Sequence, residues 1–174
     1  MNLDNKKLFC GIDASFSGTG LVVIDNEFKI VDQKLISTKK KDDDYDIEKR
    51  MIFIVEELSL FLTKYFIDLK FTMIEGISYG STGDGAAQLA ALNYFIRIFL
   101  FENKVNYSEV TPSRLKKFVS GKGQSKKEMM LKEVYKRWGE DFDDNNLCDS
   151  YCLARYAHDT FFKKNNLLKL KEVK

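Results

Sequence analysis

The sequence predicts an α/β domain: a mixed five-stranded sheet with helices on both faces. Three observations predict it. Short apolar runs near the N-terminus are separated by turn residues, the pattern of an antiparallel meander. Two later apolar runs are set apart by stretches whose apolar residues recur at helical spacing. The chain then closes with helical segments only, so the order is β-β-β-α-β-α-β-α-α-α. At 174 residues the chain is long enough for one domain with a proper core, taken here as residues 1–174.

Each element follows from its residues. Lys6 to Ala14 reads as a buried strand and Gly18 to Asp25 as the next, joined by the small polar turn Ser15 to Gly20. Asn26 marks a hairpin turn into a third strand, Phe28 to Ser37. Thr38 to Asp44 is a charged loop. From Asp46, apolar residues recur at Ile47, Met51, Ile54, Leu58, Phe61 and Tyr65, one stripe of a long amphipathic helix. Leu69 to Glu75 is a short buried strand, and Ile77 to Gly85 a Gly- and Ser-rich loop. Ala86 to Phe101 is a helix apolar on two sides, Ala87, Ala90, Tyr94 and Phe101 on one and Leu89, Ile96 and Leu100 on the other. A helix of that kind must be covered on both sides, and in a domain this small a partner subunit is the economical cover. Val105 to Val110 is the last strand. Helices over Ser113–Ser120, Ser125–Trp138 and Asn146–Phe162 follow, and the tail from about residue 163, KKNNLLKLKEVK, reads as weakly ordered.

Composition narrows the function. The chain is 44% apolar and 31% charged, which excludes a disordered or fibrous protein. No apolar run approaches the ~20 residues of a membrane span. The opening MNLDNKKLF lacks the apolar stretch of a signal peptide, so a cytoplasmic protein is expected. Three cysteines, Cys10, Cys148 and Cys152, suit a reducing compartment. Cys148 and Cys152 stand one helical turn apart, yet with His158 as the sole histidine they read as small buried residues rather than zinc ligands.

The net charge of +2 says little, but its distribution says more. Between Arg114 and Arg137 lie Lys116, Lys117, Lys122, Lys126, Lys127, Lys132 and Lys136, opposed only by Glu128 and Glu133. Glu140, Asp141, Asp143, Asp144 and Asp149 follow at once. A basic segment beside a carboxylate block suits a polyanion held against metal ions. Two solvated helix faces of opposite sign would give the same pattern.

Carboxylates also end two buried runs. Asp13 ends the first strand and Glu75 the fourth, while Asp149 opens the last helix. A charge at the end of a buried strand is costly unless something positive offsets it. Taken singly, Asp13 could cap a turn, Glu75 could face solvent, and Asp149 could favour a helix N-terminus. In a ribonuclease-H-like sheet the first and fourth strands are neighbours and the last helix crosses their ends, so the three would converge. Such a cluster repels itself unless divalent cations occupy it, and Mg²⁺ is the natural choice for oxygen ligands. Two such ions roughly 3.5–4 Å apart can activate water and stabilise the leaving oxygen of a phosphodiester.

These residues resemble the RuvC family of Holliday-junction resolvases, from about Leu8 to His158. GIDASFSGTGLVVID is similar to the family's Gly-Ile-Asp-x-Ser-x-x-x-Thr-Gly opening, and IEG stands where the family has a catalytic Glu. The segment RLKKFVSGKGQSKKEMM resembles the family's Lys-x4-Gly-x-Gly-x3-Lys pattern, and DSYCLARYAHD its last helix. The Lys- and Asn-rich composition resembles bacteriophage-encoded members, such as those of lactococcal phages. The resemblance implies a ribonuclease H-like fold and a homodimer joined through the helix bearing Ala87, Ala90 and Tyr94. It implies Mg²⁺-dependent cleavage of four-way junctions, and of other branched DNA such as forks and flaps, leaving 5′-phosphate and 3′-hydroxyl ends. Asp13 would bridge two Mg²⁺ ions per site, Glu75 and Asp149 would each hold one, and Mn²⁺ could substitute. Lys116 and Lys127 take the positions of the family's active-site lysines, with Arg114, Lys117, Lys122 and Lys126 tracking backbone phosphates.

There are two departures. The family has a further aspartate three or four residues before its last-helix Asp; here those positions are Asn146 and Asn145. Either Asn146 is an uncharged ligand, or Asp144 reaches in. The family's phenylalanine three residues after the catalytic Glu is Ser78 here, with Tyr79 beside it to stack on an unpaired base. Three other readings stand beside this one. The opening also resembles the phosphate hairpin of sugar kinases and actin-like ATPases, which need a second such domain. A different ribonuclease-H-like nuclease is another reading. A non-catalytic or weakly catalytic branched-DNA-binding protein is the third.

Overall fold

The computed structural model describes residues 6–77, 83–124 and 127–172. Five strands form one sheet: β1 (Leu8–Asp13), β2 (Thr19–Ile24), β3 (Ile30–Ile36), β4 (Leu69–Glu75) and β5 (Tyr107–Val110), in spatial order β3-β2-β1-β4-β5. The β1–β2 and β2–β3 pairs are antiparallel; β1–β4 and β4–β5 are parallel. The helices are α1 (Asp46–Leu62), α2 (Asp84–Glu102), α3 (Pro112–Ser120), α4 (Lys127–Trp138) and α5 (Asn145–Glu172), with a single 3₁₀ turn, Thr63–Tyr65, after α1.

The expected mixed sheet flanked by helices is thus the observed fold. Its central strands, β1, β2 and most of β4, are buried on both faces because each face has its own cover. Residues alternate along a strand. Phe9, Val22, Ile24, Phe71 and Met73 pack under α3, α4 and α5 with Leu115, Val134, Tyr151 and Leu153. Leu8, Cys10, Ile12, Leu21, Val23 and Ile74 pack under α1 and α2 with Ile54, Leu58, Leu92 and Ile96. All three cysteines are buried and free, and burial raises the Cys10 and Cys152 thiols, so neither ionises readily.

The sole proline starts α3 at a position where a missing N–H costs nothing. Thr111 caps that helix, its side chain accepting from the Arg114 N–H at 3.4 Å, and Gly121 ends it in the left-handed region.

Three expectations are corrected. The α2 helix begins at Asp84, inside the stretch read as loop, and Leu89 on it is 38% exposed rather than part of the covered face. The last helix does not stop at Phe162 but continues to Glu172. Phe161 and Phe162 still pack on Phe9, and Lys164 on Phe71, so the helix stays on the sheet beyond the expected end. No described helix is long and apolar enough to cross a membrane.

Candidate active site

Asp13 and Glu75 leave the paired part of the sheet side by side. Ile12 pairs with Ile74, and each carboxylate is the next residue on its strand. Strand alternation puts both on the face covered by α5, because Phe9, Phe71 and Met73 pack there. Asp13 is 8% exposed, whereas Glu75 is half-buried.

Two glycines bring α5 to that end of the sheet. A Cβ on Gly11 would lie 1.9 Å from the Ser150 carbonyl oxygen. A Cβ on Gly20, the β2 partner of Asp13, would lie 2.4 Å from the Asn146 carbonyl oxygen. The helix backbone therefore touches the sheet backbone at the turn that precedes and contains Asp149. Ser150 is fully buried and donates from Oγ to the Asn146 carbonyl at 2.7 Å. The half-buried Asp149 sits beside it. Three carboxylates from distant parts of the chain thus share one end of the sheet, on one face, under one helix.

The first turn of α5 assigns different tasks to the two candidates for a further ligand. Asp144 caps the helix: Oδ1 accepts from the backbone N–H groups of Asn146 at 2.8 Å and Leu147 at 3.1 Å. The Asn146 amide lies against the β1–β2 turn, its Nδ2 2.8 Å from where a Cβ on Gly18 would be. Asn146 turns its side chain to the β1–β2 turn at Gly18, while Asp144 is engaged in the helix cap.

That turn is held from both sides. Within it, Gly18 N–H donates to Ser15 Oγ at 3.0 Å and Thr19 Oγ1 donates to the Ser15 carbonyl at 2.7 Å. From outside, Arg50 donates to the Phe16 carbonyl at 3.1 Å and to Thr38 Oγ1 at 2.7 Å, and pairs with the buried Asp46 at 3.3 Å. Thr38 also donates to the Phe16 carbonyl, and the Arg50 guanidinium lies 5.0 Å from the centre of the Phe16 ring. On the other strand, buried Asn93 of α2 donates to the Glu75 carbonyl at 2.9 Å. The sequence reading passed over Arg50, Asn93 and Ser150. Their signals were weak: a basic and a polar residue inside otherwise apolar helical stripes, and a small one beside Asp149.

The basic segment divides. Lys116 is half-buried on α3, whose N-terminus follows directly from the β5 residue paired with Glu75. Arg114, Lys117 and Lys122 are exposed. Lys127 begins α4. Tyr79 and Lys126 lie outside the described residues. Arg137 donates to the Phe118 carbonyl at 3.1 Å and to that of Val119, so it closes the end of α3 rather than awaiting a phosphate. On α2, Ala87 and Tyr94 are exposed and Ala90 half-buried, and Ile98 and Phe101 extend this outward face at 50% and 74% exposure.

The donors suit a hard divalent cation: all are oxygens, set on rigid elements, and like charges gathered at one place favour an added positive one. Among the described residues no three His, Cys, Asp or Glu side chains form a group ready to hold a metal ion. The three carboxylates are neighbours rather than a closed ligand shell, and each is engaged by other groups of the chain.

Comparison with known proteins agrees with this arrangement. The family model described as "Crossover junction endodeoxyribonuclease RuvC" matches residues 9–137. A protein of that name from Brachyspira hyodysenteriae is 26% identical over 147 residues, covering 83% of this chain and 89% of its own. Another from Fusobacterium nucleatum is 25% identical over 171 residues, covering 92% and 87%, and so reaches into α5. Among solved structures, Thermus thermophilus RuvC superposes with a TM-score of 0.70 at 17% identity, over 91% of this chain and 96% of that one. The same protein in complex with Holliday junction substrate also gives 0.70, at 15% identity, over 91% and 95%. These structures establish the ribonuclease-H-like fold, and the match over residues 9–137 establishes the lineage. The chain belongs to the RuvC family of crossover junction endodeoxyribonucleases.

Proposed function

We propose that this protein is a metal-dependent, structure-selective endonuclease that resolves four-way DNA junctions, and other branched DNA such as forks and flaps, by paired nicking as a homodimer in the cytoplasm. The observation that supports the proposal is the placement of Asp13 and Glu75 side by side at one end of the sheet, with the first turns of α5, which carry Asn146 and Asp149, packed on the glycines of that same end. Asp13, at the centre of the sheet, would serve two Mg²⁺ or Mn²⁺ ions in common, while Glu75 and Asp149 would each hold one and Asn146 would add a carbonyl. When bound, such ions supply a water of lowered pKa and offset charge on the phosphodiester undergoing hydrolysis.

The chain's own residues bind and orient the DNA. Lys116 and Lys127 would hold the scissile phosphate and offset the charge that grows on its oxygens. Arg114, Lys117, Lys122 and Lys126 would position the backbone, which favours branch shape over base sequence because phosphate contacts carry no sequence information. Tyr79 would stack on an unpaired base at the branch point. A four-way junction is nearly two-fold symmetric, so a C2 dimer through Ala87, Ala90 and Tyr94 would present one site to each of two opposed strands. The exposed apolar residues of α2 support that surface.

The test is cleavage of a labelled four-way junction beside a linear duplex of the same sequence, in Mg²⁺, Mn²⁺ and EDTA. Native protein is expected to cut the junction alone, only with metal, and to leave 5′-phosphate ends. Asp13→Asn is expected to bind the junction and lose cleavage by 10²-fold or more. Binding without cutting in any metal would make this a junction-binding protein instead.

A further inference from the structure

The α3–α5 groove is basic and lies outside the carboxylate site. It has a volume of about 380 Å³ and is lined by Arg114 and Lys117 of α3 and by Lys163 and Lys164 of α5. Asp159 is its one carboxylate, so the four cations leave a clear positive excess. Its aromatic wall is rigid: Phe118 and Tyr156 meet edge to face with ring centres 5.0 Å apart. Lys164 is anchored at its base, with Nζ 4.8 Å from the centre of the Phe71 ring. The family match ends at residue 137, before α5 begins, so Lys163 and Lys164 lie outside it with the rest of that helix.

The helix itself measures how far the groove stands from the site. From Asp149 to Asp159 and Lys163 along α5 is roughly 15–21 Å at 1.5 Å per residue. Backbone phosphates of one strand advance about 3.4 Å per nucleotide along the duplex axis. That span is then about four to six nucleotides. The groove also opens beside the helix that covers the carboxylates, so one continuous duplex can reach both.

We infer that this groove holds the phosphate backbone of one duplex arm, about four to six nucleotides from the cleaved bond. The extended α5 thereby serves as a second DNA contact that sets arm direction. The inference rests on the proposed junction cleavage. Duplex DNA is the occupant that the charge favours: each phosphate held by a lysine or arginine releases counterions, and four cations lining one groove suit a regularly charged rod.

The experiment compares native protein with Lys163→Gln/Lys164→Gln, measuring junction affinity against salt concentration. Both residues are exposed, so the fold is expected to survive, which circular dichroism checks. The double variant is expected to bind about tenfold more weakly at moderate salt and to flatten the slope of log K against log salt by roughly 1–2. Its cleavage rate at saturating junction is expected to match native. Lys49→Gln, on the opposite sheet face, is expected to leave the slope unchanged. Neutral methylphosphonates four to six nucleotides from the mapped cut should weaken native binding and weaken the double variant less, because only Arg114 and Lys117 then remain to meet those phosphates. The same slope in native and double variant would overturn the groove while leaving the cleavage reading intact. Failure of native protein to bind the junction would overturn both.

Discussion

Gly11 and Ser150 stand in backbone contact, so close that a Cβ on Gly11 would lie 1.9 Å from the Ser150 carbonyl oxygen. The same atom would lie 2.4 Å from Ala154 N and 2.7 Å from Leu153 Cβ. None of these is the far end of a flexible side chain, so relief requires moving the helix. Gly11→Ala is therefore expected to destabilise the fold by about 3 kcal/mol or more and to lift Asp149 away from Asp13. Chemical denaturation and junction cleavage together check this. Native stability with native cleavage would show that α5 can shift freely, against the reading of the site.

The Arg50 side chain joins α1 to the turn after Asp13. Removing it in Arg50→Ala takes one donor from that turn and one from Thr38, which also holds the turn, and leaves the buried Asp46 without its cation. A loss of about 2–4 kcal/mol is expected. Cleavage should fall through kcat more than through KM, because the turn positions Asp13 and Arg50 does not contact DNA. Arg50→Lys should restore part of both. Native kcat in a folded Arg50→Ala protein would show the clamp to be irrelevant to cleavage.

Asn146 and Asp144 separate cleanly by substitution. Asn146→Asp adds a charged oxygen to the side chain that lies against the β1–β2 turn, three residues before Asp149, so less Mg²⁺ should be needed for half-maximal cleavage. Asp144→Asn keeps a good helix cap and should leave both the metal requirement and stability near native, while Asp144→Ala should cost about 1 kcal/mol. A changed metal requirement in Asp144→Asn, with none in Asn146→Asp, would reverse the assignment.

The outward face of α2 makes its own prediction. Tyr94 is 54% exposed, so Tyr94→Glu should leave the monomer folded. A charge in the centre of an apolar interface should nevertheless prevent dimerisation. Sedimentation is expected to show a monomer, and a junction held in a supercoiled plasmid should then be nicked once rather than cut on both opposed strands. A dimer that persists would place the interface elsewhere.

Much of this was legible in the residues. The strand Leu69–Glu75 could be bounded from sequence because an apolar run stops at a carboxylate on one side and follows a helical stripe on the other. Asp13, Glu75 and Asp149 stood out for the same reason: a charge where the pattern demands burial is a local anomaly. Element type and order follow from periods of two and 3.6 residues, which are properties of short segments.

Only tertiary structure could decide the rest. Asp144 and Asn146 stand two residues apart in sequence; which one caps the helix and which one turns to the β1–β2 turn depends on where α5 meets Gly18 and Gly20. Arg50 looked like one charge among many on α1, and Arg137 like one more charge of the basic segment, until the carbonyls of Phe16 and Val119 stood opposite them. The groove lined by Lys117 and Lys163 joins residues that no local period relates. Sequence by itself determined which segments could bury a face and which charges had no place there. The meeting of distant backbones at glycines decided what those charges face, because a contact across a sheet depends on packing that no single segment encodes.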